Sequence, residues 1–357
     1  MPKIVILTFV LFIGGFSVLN IVWQAPTILT SERRVRERRP NFSFDSVTSG
    51  NFMAGFEAYA ADRFPFRDGF RAVHAATVFG AFLQTDNDGI YFDSHGIGSF
   101  SAIDTDSVKL LADKINFVAS ELDSLNIFYA IIPDKSVYAD RAMPGFDYAL
   151  ATYILPNVNY ISLLDALSAD SFYRTDLHWC QANITEVVNA LAVAMDFEIY
   201  LEKFSQQLAG FFRGGYAGQF AIPVRIEPIY FMENPHIRAF YMNMATRELE
   251  EGPVYDLKLL HGIDPYDIFL RGAQPLIVLE NENAATDRSL YIFRDSFASS
   301  LAPILAGAYS RVMLIDFRFI DLHVVQQLID FTPGADALFL YSSGILNNAD
   351  MLLIGGF

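Results

Sequence analysis

Polar and apolar positions change their rhythm several times along this chain. From Ile4 to Trp23 no charge occurs, and the next charged residue is Glu32. Twenty apolar-rich residues, at a helical rise of about 1.5 Å each, cover roughly 30 Å, the thickness of one hydrocarbon core. Lys3 precedes the run and Trp23 closes it, where an interfacial aromatic is expected. No small-x-small cleavage site follows in Gln24-Ala25-Pro26-Thr27, so the pattern predicts an uncleaved signal-anchor over residues 1–31.

Residues 32–50 are polar and read as a linker. Phe52, Phe56 and Tyr59, then Phe70, Val73 and Ala76, recur at helical spacing and predict two helices within 51–83, divided at Pro65. Asp86-Asn87-Asp88-Gly89 is a turn signal before a short strand at Ile90–Phe92. Together, 32–100 reads as a linker and helical region that precedes the main domain.

From 101 to 357 helix and strand patterns alternate. Val108, Leu111, Ile115, Val118 and Leu122 form one stripe of a helix over 106–125. Ile127–Ile132 is a continuous apolar run, the signature of a strand buried on both faces. Further strands are predicted at Val158–Leu163, Ser289–Phe293, Val312–Asp316 and Ala337–Tyr341. Helices are predicted at Ile184–Met195, Phe297–Tyr309 and His323–Ile329. This alternation predicts an α/β domain, a parallel sheet with helices on both faces. Residues 200–288 break the rhythm and read as an insertion or cap of irregular β structure.

Composition narrows the function. Hydrophobic residues make up 52% and charged residues 18%, enough for a large core and too apolar for disorder. The net charge of −16 repels phosphate backbones and argues against nucleic acid as a partner. A single cysteine, Cys180, rules out an intramolecular disulfide and cysteine-cluster metal sites. Five arginines between 33 and 39 would, by the positive-inside rule alone, hold that side in the cytoplasm. The acidic body argues the other way, and the arginines would then lie against anionic headgroups.

Ligands of parallel α/β sheets gather beyond the carboxyl ends of the strands, and three candidate loops fall there. In Tyr291–Phe297 a strand turns into a helix with Ser296 at its start, where a hydroxyl lies near free amides and the positive helix end. Simple N-capping by Asp295 or Ser296 would explain the same residues, and on sequence alone it is the commoner case. In Tyr173–Trp179, Asp176 stands two residues before His178, close enough to fix its tautomer and leave Nε2 as a base. A surface turn with Trp179 packed beneath it accounts equally for that segment. In Pro133–Tyr138, Asp134 and Lys135 could shape a pocket or cap a turn. Cys180 reads as a small buried hydrophobe rather than a nucleophile, and His178 has no helical histidine partner for a metal.

Five motifs occur in a distinctive order: Asp-Arg-Phe-Pro-Phe-Arg-Asp at 62–68, Ile-Pro-Asp-Lys at 132–135, Thr-Asp-Leu-His-Trp at 175–179, Asp-Ser-Phe-Ala-Ser-Ser-Leu at 295–301 and Leu-Tyr-Ser-Ser at 340–343. Over about residues 33–348 the chain resembles the bacterial DHHW family, itself similar to the catalytic domains of alginate-type O-acetyltransferases with their SGNH-hydrolase-like three-layer fold. The resemblance implies a nucleophile at Ser296, a general base at His178 and an orienting carboxylate at Asp176. Asp134, Lys135, Trp179, Arg294 and Asp295, beside these motifs, are the candidate substrate-binding positions, and no metal or cofactor is expected. Two departures stand out. Leu177 occupies the place of a second histidine, and Arg294 a place where SGNH enzymes often carry glycine. Gly344 and Asn347 are the candidates for oxyanion donors.

The function so implied is extracytoplasmic O-acyl transfer, O-acetyl in the first instance, to a cell-envelope polysaccharide or glycan. A membrane-embedded partner would supply the acyl group. The alternatives are a carbohydrate esterase with the same triad, a non-catalytic glycan-binding or scaffold protein, and a membrane enzyme facing the cytoplasm.

Overall fold

The structure, a computed structural model, describes residues 2–23, 25–29, 31–87, 89–100, 102–141, 153–221 and 223–355. Gln24, of the stretch read as lacking a cleavage site, and Asp88, of the expected turn, lie outside the described residues. The chain forms two compact units: residues 1–88 with 215–224, and residues 89–214 with 225–357.

In the first unit, α1 (Pro2–Val22) is the one helix among the described residues long and apolar enough to cross a membrane. Helices α2 (Asn51–Asp62) and α3 (Arg67–Ala76) follow, separated at Phe64-Pro65-Phe66 as the proline demands. The last turn of α3 widens into a π-helical stretch, Thr77–Ala81.

The second unit carries the α/β alternation. A hairpin of β1 (Ile90–Asp93) and β2 (Gly96–Ser99) precedes α4 (Thr105–Glu121), β3 (Asn126–Ile132) and β4 (Asn159–Tyr160). After α5 (Thr185–Met195) come β5 (Ser205–Phe212), β6 (Glu227–Glu233), β7 (Arg238–Asn243), β8 (Glu248–Gly252) and β9 (Leu276–Glu280). The chain closes with β10 (Thr286–Arg294), α6 (Ala298–Leu305), β11 (Tyr309–Ile315), α7 (Leu322–Leu328) and β12 (Asp336–Ser342).

Eight of these strands form one sheet in the order β8-β7-β9-β11-β10-β12-β3-β4. The half from β11 to β4 is parallel throughout, and β9, β7 and β8 extend it antiparallel. The period of two along the central strands divides their side chains between two cores. Leu290, Ile292, Leu338, Leu340, Ala130 and Ile132 face one, with α5 and α6 packed on it. Tyr291, Phe293, Phe339, Tyr341, Tyr129 and Ile131 face the other, under α4 and α7. Continuous apolar runs are what two covered faces require, and three layers result.

The predicted strand at 158–163 shortens to the two paired residues of β4, an edge. The helix predicted over 297–309 stops at Leu305, because Gly307 and Ala308 turn back to donate to Ile304 and Leu305 and lead into β11. The irregular segment 200–288 divides in three. Strands β5 and β6 pair only with each other, residues 215–224 fold with the first unit, and β7, β8 and β9 are strands of the main sheet.

Candidate active site

Three neighbouring parallel strands, β10, β12 and β3, end at Arg294, Ser342 and Ile132, and their following turns build the site. After β10 the backbone turns sharply at Asp295–Phe297 before α6. The Asp295 carboxylate fixes this turn: Oδ1 accepts from Phe297 N at 3.0 Å and Oδ2 from Ser342 N at 2.7 Å. Asp295 therefore braces the turn ahead of α6, whose N-cap Phe297 takes no side-chain cap, and the Ser296 hydroxyl is left to turn outward, partly exposed.

The Asp176–His178 loop is a tight reversal with no regular secondary structure. Its ends close through a bridge between Phe172 and Trp179, with Tyr173 N donating to His178 O at 3.1 Å. Asp176 Oδ1 accepts from His178 N at 3.1 Å and lies 2.7 Å from His178 Nδ1. His178 Nε2 lies 2.8 Å from Ser296 Oγ. Asp176 and His178 are both buried, so their ion-pair chemistry is little screened by solvent. The order is carboxylate, imidazole, hydroxyl, with each polar atom facing the next. Such a chain can take a proton from Ser296 and stabilise the imidazolium that forms.

A set of clamps holds this loop. Glu227 at the start of β6 accepts from Arg174 N and Thr175 N, both at 2.8 Å, and from the Thr175 hydroxyl. Thr175 Oγ1 in turn accepts from Gly214 N at 2.8 Å. A side chain at Gly214 would collide with the Thr175 carbonyl, so the close approach requires glycine there. Lys135 Nζ donates to Tyr173 O at 2.7 Å, Ile97 O at 2.8 Å and Arg174 O at 3.1 Å. Burial pushes the Lys135 ammonium down to about 8, against the pull of Glu227, Asp176 and Asp93.

Behind the imidazole, Tyr266 stacks on the His178 ring, centroids 3.8 Å apart and planes within 8°. Its hydroxyl donates to Ser300 Oγ at 2.7 Å, and Trp179 Nε1 reaches the same oxygen at 2.8 Å. Burial holds the Tyr266 phenol well above its ordinary range. Phe297 closes another side, 4.9 Å from the imidazole centre.

The structure thus brings Ser296, His178 and Asp176 together. It corrects the reading of four neighbours as substrate-binding. Trp179 is wholly buried, with its indole N–H spent on α6. Lys135 is buried and engaged with three carbonyls. Both Asp295 oxygens are taken. Arg294 is wholly buried, donating to Ser299 Oγ at 2.9 Å, Gln274 O at 3.1 Å, Gly272 O at 3.2 Å and Asp295 O at 3.3 Å. Its guanidinium, lowered by burial, lies 3.9 Å from the Asp316 carboxylate and binds the Ser296 turn from beneath. Asp134 is partly exposed and caps the turn at Lys135–Tyr138 through Ser136 N at 2.8 Å, with Ser343 Oγ at 3.4 Å.

The two departures from the family pattern fall differently. Arg294 points away from the reacting face, so its bulk does not crowd Ser296. Leu177 is exposed between two buried neighbours. Asn347 is excluded as an oxyanion donor, since its Nδ2 donates to Ala102 O at 2.9 Å and its Oδ1 accepts from Asp104 N at 3.0 Å. Gly344 lies exposed in the turn after β12. Cys180 is buried and its thiol is pushed up by burial, as a packed hydrophobe's would be. Among the described residues no cluster of metal-ligating side chains occurs.

Glu227 and Tyr266 are the site residues that sequence reasoning missed. Both come from the arrhythmic segment 200–288, and neither has a local signal beyond Asp264-Pro265 opening a short turn before Tyr266.

No protein-family model matches this chain, and no curated protein matches its sequence. Solved structures do. A DHHW family protein from Eubacterium siraeum DSM 15702 superposes with a TM-score of 0.61 at 16% identity, over 74% of this chain and 95% of that one. PatB1 of Bacillus cereus gives 0.57 at 16% identity, over 75% of this chain and 100% of its own. The same protein bearing a sulfonyl adduct gives 0.55 at 15% identity, over 72% of this chain and 97% of that one. At such identities the likeness is one of fold, and in fold this chain is similar to a DHHW family protein and to PatB1, as the order of its motifs implied.

Proposed function

We propose that the chain is a serine-dependent O-acyltransferase of the cell envelope, with an SGNH-hydrolase-like catalytic domain held outside the cytoplasm by α1. The observation that carries this reading is the 2.8 Å approach of His178 Nε2 to Ser296 Oγ, backed by the 2.7 Å contact of Nδ1 with Asp176. A serine and histidine kept only for structure have no need to meet at the carboxyl ends of a sheet, one of them open to solvent.

In the reaction, Ser296 Oγ attacks the carbonyl carbon of an acyl ester while its proton passes to His178 Nε2. The tetrahedral adduct collapses, the leaving alcohol takes that proton, and an acyl-serine remains. His178 then removes a proton from the incoming hydroxyl of a sugar. That oxygen attacks the acyl carbon, and Ser296 recovers the proton as the acyl group leaves. Asp176 fixes the tautomer throughout and balances the imidazolium. The acyl group is most simply acetyl and the acceptor an envelope polysaccharide or glycan, as the family resemblance implies. A membrane-embedded partner would deliver the acyl group, because acyl-CoA is cytoplasmic. The sulfonyl adduct known for PatB1 supports the reading, since sulfonyl electrophiles capture activated nucleophiles.

The test uses the full chain in detergent with a fluorophosphonate probe, beside Ser296→Ala and His178→Ala. Labelling that both variants abolish, with folding intact, is expected. Unlabelled wild type that also fails to hydrolyse small acetyl esters would move the reading to a scaffold. Product analysis with added oligosaccharide separates acyl transfer from plain hydrolysis by an esterase.

A further inference from the structure

The first unit leaves a row of large apolar side chains uncovered. Met53 and Phe56 of α2, Phe64 and Phe66 of the corner, and Phe70 and Val73 of α3 are all exposed. Beside them lies a groove of about 930 Å³, with Phe12, Ile13 and Phe16 of α1 on one wall and Met53, Phe56 and Phe64 on the other. Monomeric soluble surfaces rarely present so much contiguous apolar area.

The contacts fix the level of this patch along α1. Asn20 Nδ2 reaches Ala60 O at 3.4 Å, and the Phe16 ring stacks on Phe64 with centroids 5.4 Å apart. Four residues back along α1 correspond to four residues forward from Ala60 of α2 into the corner, so the two helices run antiparallel. Phe70 also meets Phe16, at 5.8 Å, while Phe66 meets Trp23, at 5.7 Å. Phe16 lies six residues before Val22, roughly 9 Å into the span at a helical rise of about 1.5 Å. If α1 crosses a bilayer with Trp23 at its surface, Phe64 and Phe70 lie below the headgroups. At that depth the wall is mainly aromatic and aliphatic, with the Ser17 hydroxyl turned back on Ile13 O at 2.8 Å, while Asn20 and Glu57 line the shallower part.

The charges agree. Asp62 accepts from Arg34 through both oxygens at 2.7 Å and from Glu37 N at 2.9 Å. Glu32 is met by Arg67 and Arg71 at 2.7 Å and by Arg34 at 2.8 Å. These two acids near the corner are thus covered by arginines, whose long stems can reach back toward headgroups, while a third, Asp68, stays exposed with Arg67 Nη1 at 3.4 Å. Residues 1–88 hold nine basic and eight acidic side chains, against 25 and 41 in the whole chain. This is the part of a strongly acidic protein that an anionic surface does not repel.

We propose that the α2–α3 corner is a second membrane contact, sunk among the lipids beside α1, with phospholipid acyl chains filling the deep end of the groove beside Phe12, Phe16 and Phe64. The proposal rests on the reading of α1 as a membrane span. It goes beyond that reading, because a single span needs no such corner. Glu57, three residues from Ala60 toward the Trp23 end, then falls at headgroup level, where a carboxylate is tolerated. An apolar face seated at this depth is the geometry of interfacial helices, which bury about 5–10 Å into the headgroup and acyl boundary.

The experiment places the full chain in nanodiscs of phosphatidylcholine and phosphatidylglycerol whose acyl chains are brominated near the headgroup end. Bromine quenches tryptophan fluorescence on contact. The chain has two tryptophans, Trp23 and the buried Trp179, so the parent protein reports on α1 directly. Phe66→Trp and Phe70→Trp, each in a Trp23→Phe background, report on the corner. We expect both new tryptophans to lose emission about as strongly as Trp23 does in the parent. Quenching of Trp23 with none at 66 or 70 overturns the proposal while the span stands. A Trp23 that escapes quenching removes the span, and the proposal with it.

Discussion

The two sides of the candidate site are held in different ways. The Ser296 turn grows directly from β10, a strand with neighbours on both sides, and needs only Asp295 and the buried Arg294 to set it. The Asp176–His178 loop belongs to no helix or strand. Its backbone is tied by Lys135, Glu227 and Thr175, and its imidazole is packed by Tyr266 and Phe297. A nucleophile at a strand end inherits its position from the sheet. A base on an irregular loop must have its position built from side chains, and each of these is a point where the loop can be loosened while the sheet stays intact.

The comparison breaks most sharply at Asp176→Asn. The change keeps the shape, but the amide can present its NH2 to Nδ1 and stabilise the wrong tautomer. Ester turnover is expected to fall about a thousand- to ten-thousand-fold in kcat, with the melting temperature little moved. Equal losses in melting temperature would mean that Asp176 serves the fold rather than the base. Arg294→Met tests the other side. Asp316 keeps Arg318 at 2.6 and 2.8 Å, so the change removes the guanidinium's hydrogen bonds beneath the turn without stranding a charge, and a cost of about 1–3 kcal/mol in stability is expected, read by denaturant unfolding. Activity per folded molecule should survive better than in the Asp176 variant.

Lys135 sharpens the comparison through pH. Its folded value of about 8 lies below the ordinary 10.5, so the unfolded chain holds the proton more tightly. Stability is therefore reduced below pH 8 by the burial of this charge, and the penalty is relieved as pH rises from 8 through 10.5. The unfolding free energy of wild type relative to Lys135→Met should climb across that window by up to about 3 kcal/mol. Denaturant midpoints at pH 7 and pH 10 measure it, and a constant difference would show that the three carbonyls keep the ammonium charged throughout.

Most of the sheet was legible because a strand covered on both faces leaves an unbroken apolar run, as at 127–132 and 337–341. The nucleophile and the base loop could be nominated because strand-serine-helix and Asp-x-His are short local patterns. Choosing the substrate-binding neighbours failed for a physical reason. Next to a motif, a charge such as Lys135 or Arg294 can face a ligand or a set of buried carbonyls, and sequence does not record which way it turns. Within 200–288, β7 and β8 stayed opaque because they alternate weakly near one edge of the sheet, and Tyr266 because it sits in a four-residue turn, whereas the run Leu276–Leu279 of β9 did carry the signal of a strand buried on both faces and was missed inside a segment read as irregular. The ring of Tyr266 meets His178 only through tertiary packing between residues 88 positions apart.

That ring gives the smallest of the expected effects and separates packing from hydrogen bonding within the base loop. Tyr266→Phe keeps the face on the imidazole and loses only the hydroxyl bond to Ser300, which still holds Trp179. A change of about two- to tenfold in kcat is expected, from the loss of roughly 0.5–1.5 kcal/mol. Tyr266→Leu removes the flat electron-rich face that steadies the imidazole and favours its protonated form in the transition state. That change should cost a further factor of about ten in kcat with KM nearly unchanged. The proton resonance of the Nδ1–H···Asp176 bond offers an independent reading, far downfield in wild type and Tyr266→Phe, and broadened by exchange in Tyr266→Leu. If both variants lost activity equally while that resonance persisted, the hydroxyl rather than the stack would be the element that holds His178.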